Sequence, residues 1–208
     1  PPPPPPPPFS SRRRHTRCQI QSRGLGGVYK RQPLTLACHP DTPSQAIQGI
    51  DAVVGTAPGD MLTLAFALRG DISGLRIPEP RLARQAGGLW RHTCFEVFAM
   101  ADNGPGYREF NFSPSGEWAV YAFRGYRDGG EPGIELTPGI VVRRTGGRLE
   151  LDAEICQDLL PPGRALRLGL SAVVEDADGV LSYWALRHPP GKPDFHHIDA
   201  FSLQLELP

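Results

Sequence analysis

Cysteine is scarce in this sequence, and what there is does not pair. Of four cysteines in 208 residues, Cys18 falls in an atypical N-terminal stretch, which leaves Cys38, Cys94 and Cys156. An odd count, wide spacing and no C-x-x-C argue against a disulfide framework or a structural zinc site and lean towards a reducing, cytoplasmic location. Long apolar runs are also missing. Nothing approaches the roughly 18 residues of a membrane span, so no membrane partner is expected. There is no G-x-x-x-x-G-K-[ST], and no G-x-G-x-x-G between a strand and a helix, so nucleotide phosphates have no cradle. Helical periodicity is nearly absent. Only Glu154 to Leu160 offers a helical turn, which Pro161 would end. Without crossover helices a parallel α/β fold is excluded, and no internal repeat of fixed period stands in its place.

Residues 1 to 32 lack acidic side chains altogether. They run from the octaproline Pro1 to Pro8 through an arginine-rich stretch to Gln32, with seven Lys/Arg. A polyproline spacer or SH3 ligand, a basic or transit segment, and translated sequencing-adapter read-through compete for this stretch. The abrupt change at Pro33 favours the last, so residues 1 to 32 are expected to be a disordered, non-native tail. The native start, and with it any signal peptide, is then not legible. Residues 33 to 208 carry 15 basic and 22 acidic groups, a net charge of −7. That sign argues against nucleic acid, whose recognition depends on clustered Lys and Arg. These 176 residues suit one domain that needs no disulfide staples.

What is present in quantity is alternation. Met61 to Leu68 sets Leu62, Leu64, Phe66 and Leu68 on one side of a strand and Met61, Thr63, Ala65 and Ala67 on the other. The pattern recurs at Thr93 to Ala99, Tyr107 to Phe112, Glu117 to Phe123, Arg148 to Ile155, Leu166 to Glu175, Leu181 to Leu186 and Phe201 to Leu207. It is weaker at Leu34 to Cys38, Ile50 to Val54 and Ile140 to Arg144. Glycine and proline fall mostly between these runs, as at Asp128-Gly129-Gly130 and Pro161-Pro162-Gly163, and read as turns. About ten short strands with regular turns predict an all-β protein, an antiparallel β-sandwich of jelly-roll type.

The chemistry-bearing stretch is Leu89-Trp90-Arg91-His92-Thr93-Cys94-Phe95-Glu96, followed by Tyr107 to Trp118. With Phe95, Val97, Phe110 and Phe112 inward, alternation puts His92, Cys94 and Glu96 on one face with Tyr107, Glu109 and Asn111. A solvated sheet face is the plain reading of such a pattern. Trp90, Trp118, Tyr121 and Trp184 change the balance, because sugars stack their C–H faces on aromatic planes and pair their hydroxyls with fixed polar groups. Core packing is the competing role for each tryptophan. Cys94 suits a small buried thiol better than a nucleophile with His92 as its base. His196-His197, near Lys192 and Asp194, could ligate a metal, but adjacent residues on an extended chain point apart, so one packed and one solvated histidine is the simpler account. Met61 and Met100 stand in apolar strand patterns, which weakens either as a haem ligand.

The runs Leu89 to Glu96, Glu109 to Trp118, Leu181 to Leu186 and His188 to His197 resemble bacterial DOMON-like domain proteins, which are similar to the family 9 carbohydrate-binding modules. The likeness covers residues 33 to 208. It implies a single β-sandwich domain with a ligand pocket on one sheet, the ligands of the superfamily being sugars or haem. It also implies paired tryptophans about a sugar, matched loosely by Trp90 and Trp118, and structural calcium. No D-x-[DN]-x-[DN]-G loop is present, and no Met and His pair can be placed, so calcium and haem lack a motif and no cofactor is expected. The expectation is a noncatalytic domain binding a glycan or similar polyhydroxylated molecule. Trp90, His92, Glu96, Glu109, Asn111, Trp118, Tyr121 and Trp184 would form the site, with Lys192, Asp194, His196 and His197 at its rim. The alternatives are a haem-binding domain, a glycoside-active enzyme using Glu96 with Glu109 or His92, and an interaction domain without a small ligand.

Overall fold

The computed structural model describes residues 33–132, 138–163 and 165–207. The expected tail, residues 1–32, lies outside the described residues. Twelve strands dominate: β1 (Leu34–Cys38), β2 (Ile47–Ala57), β3 (Met61–Gly70), β4 (Cys94–Ala101), β5 (Tyr107–Phe112), β6 (Trp118–Gly125), β7 (Asp128–Pro132), β8 (Gly139–Thr145), β9 (Arg148–Cys156), β10 (Ala165–Glu175), β11 (Leu181–Ala185) and β12 (Leu203–Glu206). Every pairing between them is antiparallel, along the path β7-β6-β5-β4-β10-β11-β1-β2-β3-β9-β8, with β12 beside β10.

The path folds back on itself at β1. Leu34 to Leu36 pair with β2, whereas Ala37 and Cys38 pair with β11, so this strand passes from one sheet to the other. The inner face of β3 carries Leu62, Leu64, Phe66 and Leu68, and that of β9 carries Leu149, Leu151, Ala153 and Ile155. These pack against Phe95, Val97, Phe110, Phe112, Trp118, Val120, Leu168 and Leu170 of the opposite sheet. Phe66 and Phe95 stack across the gap with centroids 5.0 Å apart. Each of these fully buried side chains contributes about 1.5–3 kcal/mol of transfer free energy, and a one-residue slip would turn the whole set outward.

Strand β4 is buried on both faces, which an antiparallel sheet with a watered outer side would not require. Its outer face meets a second apolar cluster of Phe98, Met100, Tyr107, Val173, Ala185, Phe195 and Phe201. Phe195 and Phe201 belong to the segment 187–202, which crosses the outside of the second sheet. His39 ties that segment down. Its Nδ1 accepts from the Asp41 N–H (3.2 Å), so its Nε2–H donates to the Gly191 carbonyl (3.0 Å). His188 donates through Nε2 to the Ala37 carbonyl (2.8 Å). The segment comes close to β10 at Gly169, where a Cβ would stand 3.1 Å from the Ala200 carbonyl oxygen.

Three local expectations are corrected. Glu154 to Leu160 does not form a helical turn from its start. Period-two burial carries β9 through Cys156, and only Gln157–Leu159 turns, as a 3-10 helix. Asp128-Gly129-Gly130 is not merely a turn but opens β7, whose register against β6 shifts near Phe123. Gly129 is required there, because its φ is +134° and a Cβ would lie 2.5 Å from the Ala122 carbonyl oxygen. The last strand begins at Leu203 rather than Phe201, whose ring is drawn into the second apolar cluster. Among the described residues no helix is long and apolar enough to cross a membrane.

Candidate functional site

Alternation along four neighbouring strands places a set of polar and aromatic side chains on the outer face of the second sheet. Because Phe95, Val97, Phe110 and Val120 point inward, Glu96, Glu109 and Tyr121 point outward. Register aligns them. Glu96 lies opposite Asn111 and Ser171, and Glu109 lies opposite Phe98 and Tyr121, so Glu96 and Glu109 are diagonal neighbours on adjacent strands. Above them opens a cavity of about 620 Å³, within the range of roughly 300–1,000 Å³ usual for small-molecule sites. Glu96, Glu109 and Val173 form its floor. Tyr121, Phe123 and Tyr183 line it from the sheet, Lys192, Pro193, Phe195 and His196 from the crossing segment, and Trp90, Thr42, Arg127 and Gly130 from loops and the β6–β7 hairpin.

Trp90 reaches the cavity on a 3-10 turn, Leu89–Arg91, opened by Gly88 in the left-handed conformation (φ 74°). The Gly88 N–H points to the Tyr121 hydroxyl at 3.4 Å, and the Arg91 guanidinium lies 5.1 Å from the Trp90 ring centre. The indole stays 46% exposed, which sets it apart from the other two tryptophans. On the opposite side Arg127 holds a left-handed backbone (φ 53°), uncommon for a residue with a side chain. Its N–H donates to the Tyr107 hydroxyl (3.1 Å) and its guanidinium to Asp194 (2.9 Å). Asp194 also accepts from the Tyr126 hydroxyl (2.8 Å), so it fastens the hairpin to the crossing segment.

The floor is electrically unusual. Glu96 is 3% exposed, and its Oε1 has no hydrogen-bond partner among the described residues. Burial first, and the neighbouring Glu109 charge second, hold its carboxyl well above the ordinary range against an opposing interaction with Ser171, and so favour the protonated form. Glu109 is pushed up to about 7 by burial, against the opposing hydrogen bond from Asn111 and the more distant charge of Arg127. The Asn111 amide donates to Glu109 Oε1 at 2.7 Å. His196 faces Glu109 with Nε2 at 3.7 Å from Oε2, too long for a direct hydrogen bond. The Tyr107 hydroxyl already accepts from the Arg127 N–H, so it donates its proton to His196 Nδ1 (2.8 Å), which fixes the remaining imidazole proton on Nε2. Burial, and next the Arg127 charge, lower the His196 pKa to about 4, so the ring is neutral. The floor therefore offers two carboxyls that hold their protons more tightly than usual, Glu109 with its midpoint at about 7, and one neutral imidazole N–H.

Of the twelve residues expected from sequence, Trp90, Glu96, Glu109, Tyr121, Lys192 and His196 line this cavity. Asn111 stands behind Glu109 and Asp194 braces the rim, each acting through a neighbour. The remaining four lie elsewhere. Trp118 pairs with Phe112 and packs between the sheets. Trp184 does the same, its Nε1–H donating to the Ser182 hydroxyl at 3.0 Å. Neither indole reaches the cavity, because each occupies an inward position on its strand. His92 falls beyond the start of β4 and pairs with Glu175 at 2.6 Å. His197 points away from its neighbour His196 and caps the turn Ile198–Ala200. Cys94 is wholly buried; burial and then the two floor carboxylates raise its thiol far above the range of a nucleophile. Met61 and Met100 are buried in the two apolar clusters and do not line the cavity.

Sequence reading missed Phe123, Tyr183, Phe195, Arg127, Thr42 and Val173. Parity could have found two of them. Phe123 lies two residues from Tyr121 on one strand, and Tyr183 has the outward position next to inward Trp184. Arg127 and Phe195 reach the site only through the hairpin and the crossing segment, which no local pattern announces.

No protein family matches the sequence, and no curated protein does. Among solved structures the chain is similar in fold to a candidate carbohydrate-binding protein from Bacteroides uniformis. That likeness has 15% identity, a TM-score of 0.64 and coverage of 84% of each chain. It is also similar to a carbohydrate binding module of family 9 from Caldicellulosiruptor kristjanssonii in complex with glucose. There the identity is 9%, the TM-score 0.51 and the coverage 80% of this chain and 78% of that one. At these identities the likeness is one of fold, the antiparallel β-sandwich.

Proposed function

We propose that residues 33 to 208 act as one β-sandwich domain that binds a carbohydrate, or a similar polyhydroxylated molecule, without altering it chemically. The observation that carries this reading is Glu96, buried at the floor of an open cavity with one carboxyl oxygen unpartnered. Buried polar atoms are seldom left so, and the omission costs about 1–3 kcal/mol until something fills it. A ligand hydroxyl is a suitable partner, since a neutral carboxyl both donates and accepts. Trp90, Tyr121, Phe123 and Tyr183 give the apolar planes on which a sugar ring stacks. The fold's likeness to a candidate carbohydrate-binding protein and to a module seen with glucose supports the same reading.

The paired carboxyls raise glycoside hydrolysis as a second reading. Hydrolysis needs one carboxyl at the leaving oxygen and another at the opposite face of the sugar ring. Glu96 and Glu109 rise from adjacent strands on one sheet face, so both lie beneath a bound ring rather than astride it. That placement favours binding.

Calorimetric titration with neutral and acidic mono- and oligosaccharides tests the proposal. Saturable heats are expected, and they should vanish in Trp90→Ala and Glu96→Met variants whose circular dichroism matches the parent. Silence across the panel, or heats unchanged by both substitutions, would overturn it. Release of reducing sugar from an oligosaccharide would favour the enzyme instead.

A further inference from the structure

We infer that the ligand is an amino sugar, its ammonium seated on the floor between Glu96 and Glu109. This rests on the carbohydrate reading and names the ligand class for the same cavity. The starting point is a pair of buried carboxyls without a partner cation. Two carboxyl side chains, 3% and 5% exposed, share one floor, yet no cationic side chain is bonded to either among the described residues. The cations nearby are committed or distant from the floor. Arg127 spends its guanidinium on Asp194 at 2.9 Å. Lys192 stands exposed at the rim. His196 accepts from Tyr107 at Nδ1 and leaves Nε2 3.7 Å from Glu109.

The surroundings suit a cation as well. Trp90, Tyr121, Phe123 and Tyr183 turn aromatic rings towards the same space, and aromatic faces attract ammonium groups, most strongly when water is excluded. An ammonium carries three donors and no acceptor. One of them meets the orphan Glu96 Oε1 and a second meets Glu109, whose Oε1 already accepts from Asn111, through Oε2. A neutral sugar satisfies Glu96 but leaves two carboxyls side by side, sharing a proton to avoid repulsion. An acidic sugar fares worse. It would set its charge over the floor and gain only Lys192, where an exposed ion pair contributes little.

Seating a cation also changes proton count. Glu96 and Glu109 both hold protons more tightly than usual, and an adjacent ammonium favours their ionised forms. The other ionisable groups at or beside the cavity are Tyr107, Tyr121 and Cys94, all raised by burial, Tyr183, the neutral His196, the engaged Arg127 and Asp194, and Lys192. Burial makes Tyr107, Tyr121 and Cys94 hold their protons more tightly, so a proton released on binding is assigned to the carboxyl pair.

The test uses the full chain near pH 7, titrated with glucose, galactose and mannose, each alongside its 2-amino and 2-acetamido forms, and with cyclohexylamine. Each titration is run in two buffers of different ionisation heat. At least one amino sugar should bind about ten-fold or more tightly than its neutral parent and its acetamido form, as close desolvated charge pairs do, with net proton release. Glu96→Gln and Glu109→Gln should each erase that preference while neutral sugars still bind. Equal affinities for the three forms of every sugar would overturn the amine inference and leave carbohydrate binding standing. Cyclohexylamine binding as tightly as the best amino sugar would keep the amine and remove the sugar. No binding by any probe would overturn both.

Discussion

Glu109→Gln and His196→Gln should tilt the pH dependence of folding stability in opposite directions. Glu109 titrates at 4.5 in the unfolded chain and at about 7 in the fold. Between those values the folded state keeps a proton that the unfolded state has lost, so its contribution is fully present below pH 4.5 and is lost as pH rises through about 7. The full gap corresponds to about 3 kcal/mol. His196 runs the other way. Its value drops from 6.5 to about 4, so the unfolded state binds the extra proton, and the contribution present above pH 6.5 is lost as pH falls through about 4. Its side chain is 15% exposed, and allowing for that contact with water its share is about 2 kcal/mol. In the parent protein the two slopes largely offset each other between about pH 4.5 and 6.5. Removing Glu109 should leave stability rising with pH across this window relative to the parent, and removing His196 should leave it falling. Glu96 has the sign of Glu109 and stays in both variants, where burial, its main cause, persists. Urea unfolding at half-unit steps from about pH 4 to about 7.5 gives the profile, read as midpoint shifts at constant m-value. Three parallel profiles, or two variants tilting the same way, would refute the electrostatic account of the floor.

The tryptophans should separate cleanly by substitution. Trp118→Ala, which empties a core position, should lower stability by about 3–5 kcal/mol in denaturant titration, while Trp90→Ala should change it by about 0.5 kcal/mol or less and abolish sugar heats. Asp194→Ala, which strips partners from both Tyr126 and Arg127, should speed hydrogen exchange across residues 187–202 and leave the inter-sheet strands protected. Gly129→Ala should destabilise by more than about 1 kcal/mol, because the left-handed backbone and the Ala122 carbonyl oxygen both oppose a Cβ; a neutral result by thermal unfolding would contradict the hairpin geometry.

The strands were legible because their alternation is strong. Leu62, Leu64, Phe66 and Leu68 admit one inward face, and Phe95, Val97, Phe110 and Phe112 another, which fixes Glu96 and Glu109 outward together. The same rule, applied strictly, separates Trp118 from Tyr121, since residues three apart on one strand cannot share a face. Parity outranks aromatic identity there, and the core claims Trp118 and Trp184 because an indole fills inter-sheet volume that no smaller side chain fills. What alternation cannot report is distance between separate parts of the chain. The segment 187–202 covers a sheet face through Phe195, Phe201 and backbone ties to His39, and only its closure turns an exposed face into a hollow. The irregular hairpin at Arg127 is equally nonlocal, being held by Tyr107 and Asp194.

The sequence has three tryptophans, one at the cavity rim and two between the sheets, so the indole N–H resonances of a nitrogen-15-labelled sample read the site directly. Titrated with the tightest-binding sugar, the Trp90 signal should move saturably while those of Trp118 and Trp184 hold still. Movement of either buried indole with Trp90 unmoved would place the ligand elsewhere and contradict the assignment of this cavity as the binding site.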